Sequence, residues 1–234
     1  MEFLEDLVAA NRILAEHGVI DAYGHVSIRS PDNPNRYFLA RSLAPERVQL
    51  EDILEYDVDS NPVDPQGRES VRERFIHGEI YRMRPEVMAV VHSHSPSVIP
   101  FGVTKSKLRP IYHMASFLWS GVPLFEIRDT RPDNDLLIRD IPLGKALAHS
   151  LGKCTCVLMR GHGMTVVGDS VAEAVFRSIY TEMNARLQIQ AGQLEGPVAF
   201  LSDEEGKRST ASNRSTLERP WELWKKAASA KGRS

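Results

Sequence analysis

The sequence is short of the features that mark several large classes of protein. Two of its 234 residues are cysteine, too few for a disulfide scaffold. Charge of neither sign prevails: 29 Lys and Arg stand against 31 Asp and Glu, a formal net charge of −2. No basic face for nucleic acid or for an anionic membrane surface is therefore expected. No apolar run reaches the roughly 20 residues of a membrane-spanning helix. The opening stretch Met1-Glu2-Phe3-Leu4-Glu5-Asp6 is acidic and amphipathic, without the positive flank and apolar core of a secretory signal. There is no internal repeat and no low-complexity tract. Cys154 and Cys156 stand two apart in a strand-like run and read as small buried hydrophobes in a reducing compartment, so the expected location is cytoplasmic.

What is present is an alternation of helix and strand signals. Phe3 to His17 carries apolar groups at helical spacing and stops at Gly18. Gly24 to Arg29 and Tyr37 to Ala40 read as a hairpin across a Ser-Pro-Asp-Asn-Pro loop. Glu51 to Val58 reads as a turn of helix and a short strand. Val71 to Arg84 is predicted as a helix, with Ser70 as its N-cap and Glu73 three residues on, a capping-box spacing. Ala89 to Val91 begins a strand, and Ser95-Pro96 is predicted to cap the helix after it. Tyr112-His113-Met114 falls in a connection. Pro123 to Ile127 reads as a strand, Gly144 to Leu151 as a helix and Thr155 to Met159 as a strand. A turn at Arg160 to Met164 precedes the longest helix, Ser170 to Ala191. The pattern predicts one α/β domain over residues 1–200, with 201–234 as a polar C-terminal arm of the same domain. In that arm Arg219, Trp221 and Trp224 could close a site or pack at an interface.

The run Val90-Val91-His92-Ser93-His94-Ser95-Pro96 organises the functional reading. Successive side chains of a strand alternate faces, so His92 and His94 point the same way, which is half of a metal site. His162 sits between Gly161 and Gly163 after another strand, where the backbone can turn sharply and approach a ligand closely. Glu73 lies on the segment that feeds the His92 strand. Three imidazoles and a carboxylate suit a divalent transition metal with an open coordination position.

With Glu73, His77, Tyr81, Arg84-Pro85, Ala89-Val90-Val91-His92-Ser93-His94 and Arg160-Gly161-His162-Gly163 in that order, the chain resembles the class II aldolase/adducin family over roughly residues 1 to 195. The resemblance implies a class II aldolase-like α/β fold: a central, mostly antiparallel sheet with helices on both faces. It implies His92, His94 and His162 as metal ligands, with Glu73 as a fourth ligand that is also the acid/base. It further implies a homotetramer with sites at subunit interfaces. Sugar-phosphate aldolases of the family hold phosphate with glycine and hydroxyl groups, where this chain has His25, Arg41 and Arg72. An arginine fork suits a planar carboxylate. Their His-Tyr-Met run reads Tyr112-His113-Met114 here, so His113 stands in for the phenol. Within the family these departures resemble the aromatic hydroxycarboxylate decarboxylases. They imply a small aromatic carboxylate as substrate, such as 3-hydroxy-2-methylpyridine-4,5-dicarboxylate of vitamin B6 degradation. A divalent metal is expected, Mn2+ favoured and Zn2+ possible, with Glu73 or His113 delivering a ring proton. The alternatives are an aldolase acting on a small hydroxy-carbonyl or sugar-phosphate substrate, an iron-dependent oxygenase on the same scaffold, and an adducin-like interaction module. The last is disfavoured because all four candidate ligand groups are present.

Overall fold

The computed structural model describes residues 2–231. Helix α1 spans Glu2–Glu16 and ends against Gly18 at φ +65°, a backbone angle at which glycine carries no steric penalty. Strands β1 (His25–Arg29), β2 (Arg36–Ala40) and β3 (Ile53–Asp57) form an antiparallel meander. Helix α2 (Phe75–Met83) leads into β4 (Ala89–Ser93), which pairs antiparallel with β1. After α3 (Ile99–Val103) and a 3-10 segment at His113–Ser120 come β5 (Leu124–Phe125), α4 (Ile141–Leu151), β6 (Cys156–Met159) and β7 (Gly163–Gly168). Helices α5 (Val171–Ala191), α6 (Asp203–Arg214) and α7 (Glu218–Lys231) complete the chain. The seven strands lie in the order β3-β2-β1-β4-β7-β6-β5, with every pairing antiparallel except β5 to β6.

Alternation along the strands divides the core into two layers. Val26, Ile28, Val91, Leu158, Met164 and Val166 face α1, α5 and the 3-10 segment. Tyr37, Leu39, Leu54, Val90, Val157 and Val167 face α2 and α4. This is the expected sheet with helices on both faces. The α2-facing layer also carries Ser27, His77, His92 and Thr165, all fully buried. A polar seam thus runs through an otherwise apolar interface. Among the described residues no helix is long and apolar enough to cross a membrane. Both cysteines are free, and burial raises the Cys156 thiol above its ordinary value.

Several local expectations are corrected. The helix expected from Val71 begins at Phe75, with no side-chain cap. Glu73 does not close a capping box, because its carboxylate accepts the Ile138 backbone N–H at 2.8 Å. Ser95 does not cap the next helix either. Its hydroxyl donates to the Val19 carbonyl at 3.1 Å, and α3 starts at Ile99. The strand read at Pro123 to Ile127 shrinks to two residues. Gly163 and Met164, read as the end of a turn, begin β7 (Gly163–Gly168), which lies between β4 and β6. The polar arm folds into α6 and α7. Ser202 and Glu205 form a reciprocal capping box at the start of α6, and Trp221, 6% exposed, packs into the layer under α1 and α5. Trp224 packs on His17 and Tyr180. Trp221 and Trp224 thus pack within the chain, while Arg219 is exposed.

Candidate metal centre and cavity

Register brings the histidines together. Across the β4–β7 pair, His92 stands opposite Thr165 and Ser93 opposite Met164, so the next residues are His94 and Gly163. A Cβ on Gly163 would overlap the Ser93 carbonyl oxygen and crowd the His94 Cα. Only glycine lets the two strand ends close here, and the turn at Gly161, φ +63°, then returns His162 over them. The His92 and His162 rings lie 4.8 Å apart, and His94 and His162 5.0 Å apart. Glu73 approaches from the turn before α2, with Oε2 3.5 Å from His162 Nε2 and 3.7 Å from His92 Nε2. One ligand atom from each of the four residues lies within 4.8 Å of all the others.

The hydrogen bonds behind these groups aim them. His92 Nδ1–H donates to the Met164 carbonyl at 3.1 Å, and His94 Nδ1 pairs with Asp21 Oδ2 at 3.2 Å. Both bonds commit the ring proton to Nδ1 and turn the Nε2 lone pair inward, the usual support for a metal-ligating imidazole. His92 Nε2 is buried and has no hydrogen-bond partner. His94 Nε2 and His162 Nε2 face one another at 3.2 Å. The buried, unpartnered His92 Nε2 lone pair, the His94 Nε2 lone pair and the closeness of His162 Nε2 and the Glu73 carboxylate make a donor set that fits a divalent metal. Burial pushes Glu73 upward, but the His162 contact, the nearby His92 and the Ile138 N–H together hold it below the usual carboxylate range. Burial lowers His92, with Glu73 opposing.

Beside the cluster opens a cavity of about 490 Å³, lined by Glu73 and His94 and also by His25, Arg41 and Arg72. Its remaining wall includes Ala22, Tyr23, Leu43, Val71 and Leu137, a mixture of apolar surface and a few polar groups typical of small-molecule sites. Arg41 spends its Nε on Asp52 at 2.6 Å, while Arg72 is exposed. The sequence-predicted residues thus converge with one exception. His113 opens the exposed start of the 3-10 segment, in the α5-facing layer, and does not line the cavity. The sequence reading did not single out Asp21, whose only signal is its place in the loop before Gly24, or the hydrogen bonding of Ser27, His77 and Tyr81 behind His25.

Residues 5–189 match the model of the class II aldolase and adducin N-terminal domain. Over 93% of this chain and 90% of the relative, the sequence is 39% identical to the decarboxylase tropJ of Talaromyces stipitatus. It is 30% identical to a 3,4-dihydroxyphthalate decarboxylase of Arthrobacter keyseri, over 86% of this chain and 83% of that one. Among solved structures, an L-fuculose 1-phosphate aldolase from Glaciozyma antarctica superposes with a TM-score of 0.79 at 21% identity, covering 97% of this chain and 88% of the other.

Proposed function

The chain belongs to the class II aldolase and adducin family, and from that premise we propose that it is a divalent-metal-dependent carboxy-lyase. Its substrate would be an aromatic or pyridine acid with a hydroxyl ortho to the leaving carboxylate. The observation that carries this reading is the clustering of three imidazoles and one carboxylate beside a cavity that Glu73 and His94 help to line and whose wall is part apolar and part cationic. The relatives that bear decarboxylase names support the same reading. His92, His94, His162 and Glu73 would hold the ion, with Mn2+ favoured and Zn2+ the alternative, since such ligands serve both. The cation supplies Lewis-acid stabilisation of negative charge on a substrate oxygen.

The chain's own groups do the rest. Ala22, Leu43, Val71 and Leu137 give the ring an apolar wall and exclude water from it. Arg41, Arg72 and His25 grip a second ring carboxylate, the guanidiniums in the planar geometry that carboxylates prefer. Glu73, ionised in the free site, takes the proton of the ortho hydroxyl through Oε2. It then delivers that proton to the ring carbon bearing the leaving carboxylate. The C–C bond breaks, CO2 departs, and the electron pair of that bond restores the aromatic ring. His113 reaches this site only from a neighbouring copy, which accords with the homotetramer implied by resemblance. The free cysteines suit a reducing cytoplasm.

The test is CO2 release by Mn2+- or Zn2+-loaded protein from 3,4-dihydroxyphthalate and from 3-hydroxy-2-methylpyridine-4,5-dicarboxylate, each beside its analogue lacking the ortho hydroxyl. Turnover of the analogue should fall by about 10³-fold or more, because a polar site rejects a ligand that leaves its groups unpaired. His162→Ala should lose bound metal and CO2 release together. Equal turnover of the analogues, or cleavage of a sugar phosphate with no CO2 from any aromatic acid, would overturn the reading.

A further inference from the structure

Behind His25 in the cavity wall lies a row of buried polar groups, His77, Ser27 and Tyr81, that the steps above leave idle. His25 Nδ1 and His77 Nε2 are 2.7 Å apart, His77 Nδ1 and Ser27 Oγ 2.6 Å, and Ser27 Oγ and the Tyr81 hydroxyl 2.8 Å. His77 and Ser27 are fully buried, Tyr81 is 2% exposed and His25 4%. At the cavity end, His25 Nε2 has no hydrogen-bond partner although the residue lines the cavity. We infer that Tyr81, Ser27 and His77 form a polarised chain of hydrogen bonds that presents His25 to the cavity as a neutral N–H donor for a substrate carboxylate oxygen.

Donor counting sets the direction. Around Tyr81, the Arg29 guanidinium lies over the ring, 4.6 Å from its centroid, and can only donate. Among the described residues the acceptor bonded to the phenol is Ser27 Oγ, so Tyr81 O–H donates to Ser27. The serine proton must then go to its other partner, His77 Nδ1. A neutral imidazole that accepts at Nδ1 carries its proton on Nε2, so His77 donates to His25 Nδ1. His25 accepts there and carries its own proton on Nε2, its one unpartnered polar atom. In the reverse polarity the Tyr81 proton would be buried with no acceptor. With its inward nitrogen protonated, His25 cannot serve as a metal ligand, although its ring lies 5.0 Å from that of His92. It is instead a rigid, uncharged donor beside Arg41 and Arg72. His77, Ser27 and Tyr81 are positioning residues that act through it.

The ligand's identity rests on the proposed decarboxylation, but the polarity does not. The test is a long-range proton–nitrogen spectrum of the Zn2+-loaded, 15N-histidine-labelled protein, with the His25 signals identified by His25→Gln. A single His25 tautomer is expected, protonated at Nε2 and bare at Nδ1. Tyr81→Phe removes the group that sets the direction. It should yield a mixture of His25 tautomers and weaken binding of an ortho-hydroxy aromatic dicarboxylate about tenfold, the loss typical of one hydrogen bond, with Zn2+ affinity unchanged. Ser27→Ala should shift the spectrum in the same sense. A native His25 protonated at Nδ1, or a tautomer unmoved by Tyr81→Phe, would overturn the inference. Because the spectrum is read without substrate, failure of the decarboxylation reading leaves this result standing, and the reverse also holds.

Discussion

His77 is fully buried between His25 and Ser27, and that burial has a thermodynamic consequence. Burial lowers it from 6.5 to about 3, with Glu73 pulling weakly the other way. Between those two values the unfolded chain binds a proton that the folded chain refuses. Its contribution to stability is complete above pH 6.5 and is lost as the pH falls toward 3. Burial lowers His25 and His92 as well, so their contributions have the same sign. Urea unfolding of the metal-free protein from about pH 7 down to about pH 5 should show stability falling by about 2 kcal/mol in all for each such histidine. A flat profile over that window would mean that these imidazoles titrate normally in the fold. At this scale the residue types in the site were legible, but the partners of each nitrogen were not. Nothing in the sequence ties His94 to Asp21, or His25 to a phenol 56 positions away.

Among the elements, the β4–β7 contact matters most to the site, and it depends on Gly163. Because a Cβ there would overlap backbone rather than a movable side chain, Gly163→Ala must separate the strand ends that present His94 and His162. Metal affinity should fall roughly 10–100-fold, as when support behind metal ligands is removed. A chelator competition titration would show this, and an unchanged affinity would mean that the ligands do not depend on that approach. β7 itself escaped the sequence reading because its first two residues, Gly163 and Met164, and the preceding His162 read as turn. Its burial on both faces also removes the alternation that marks a half-exposed strand. Helices α6 and α7 escaped because their apolar residues are few. Trp221 and Ala228 dock on the core, and helices are stabilised more by such packing than by propensity.

For the whole molecule, the position of His113 sets the question. It lies in the α5-facing layer, away from the cavity of its own chain. If the proposed tetramer joins His113 of one copy to Glu73 of the next, Glu73→Gln and His113→Ala proteins, each impaired, should complement on mixing. Random reassembly would restore about a quarter of the sites in a cyclic assembly. Sedimentation should show one oligomer throughout. Absence of any regained CO2 release in verified mixed oligomers would place His113 outside the site.

The sequence by itself determined the α/β class and singled out His92, His94, His162 and Glu73 as candidate metal ligands, while family resemblance singled out His25, Arg41 and Arg72. Local period and residue chemistry carry the first two, and strand alternation is enough to put His92 and His94 on one face. Tertiary structure decided what Glu73 does, because the Ile138 N–H that claims its carboxylate lies 65 residues away. It likewise decided which way each imidazole points and which strands flank β4. Those outcomes depend on register and on long-range hydrogen bonds, and such pairings leave no periodic trace in the chain.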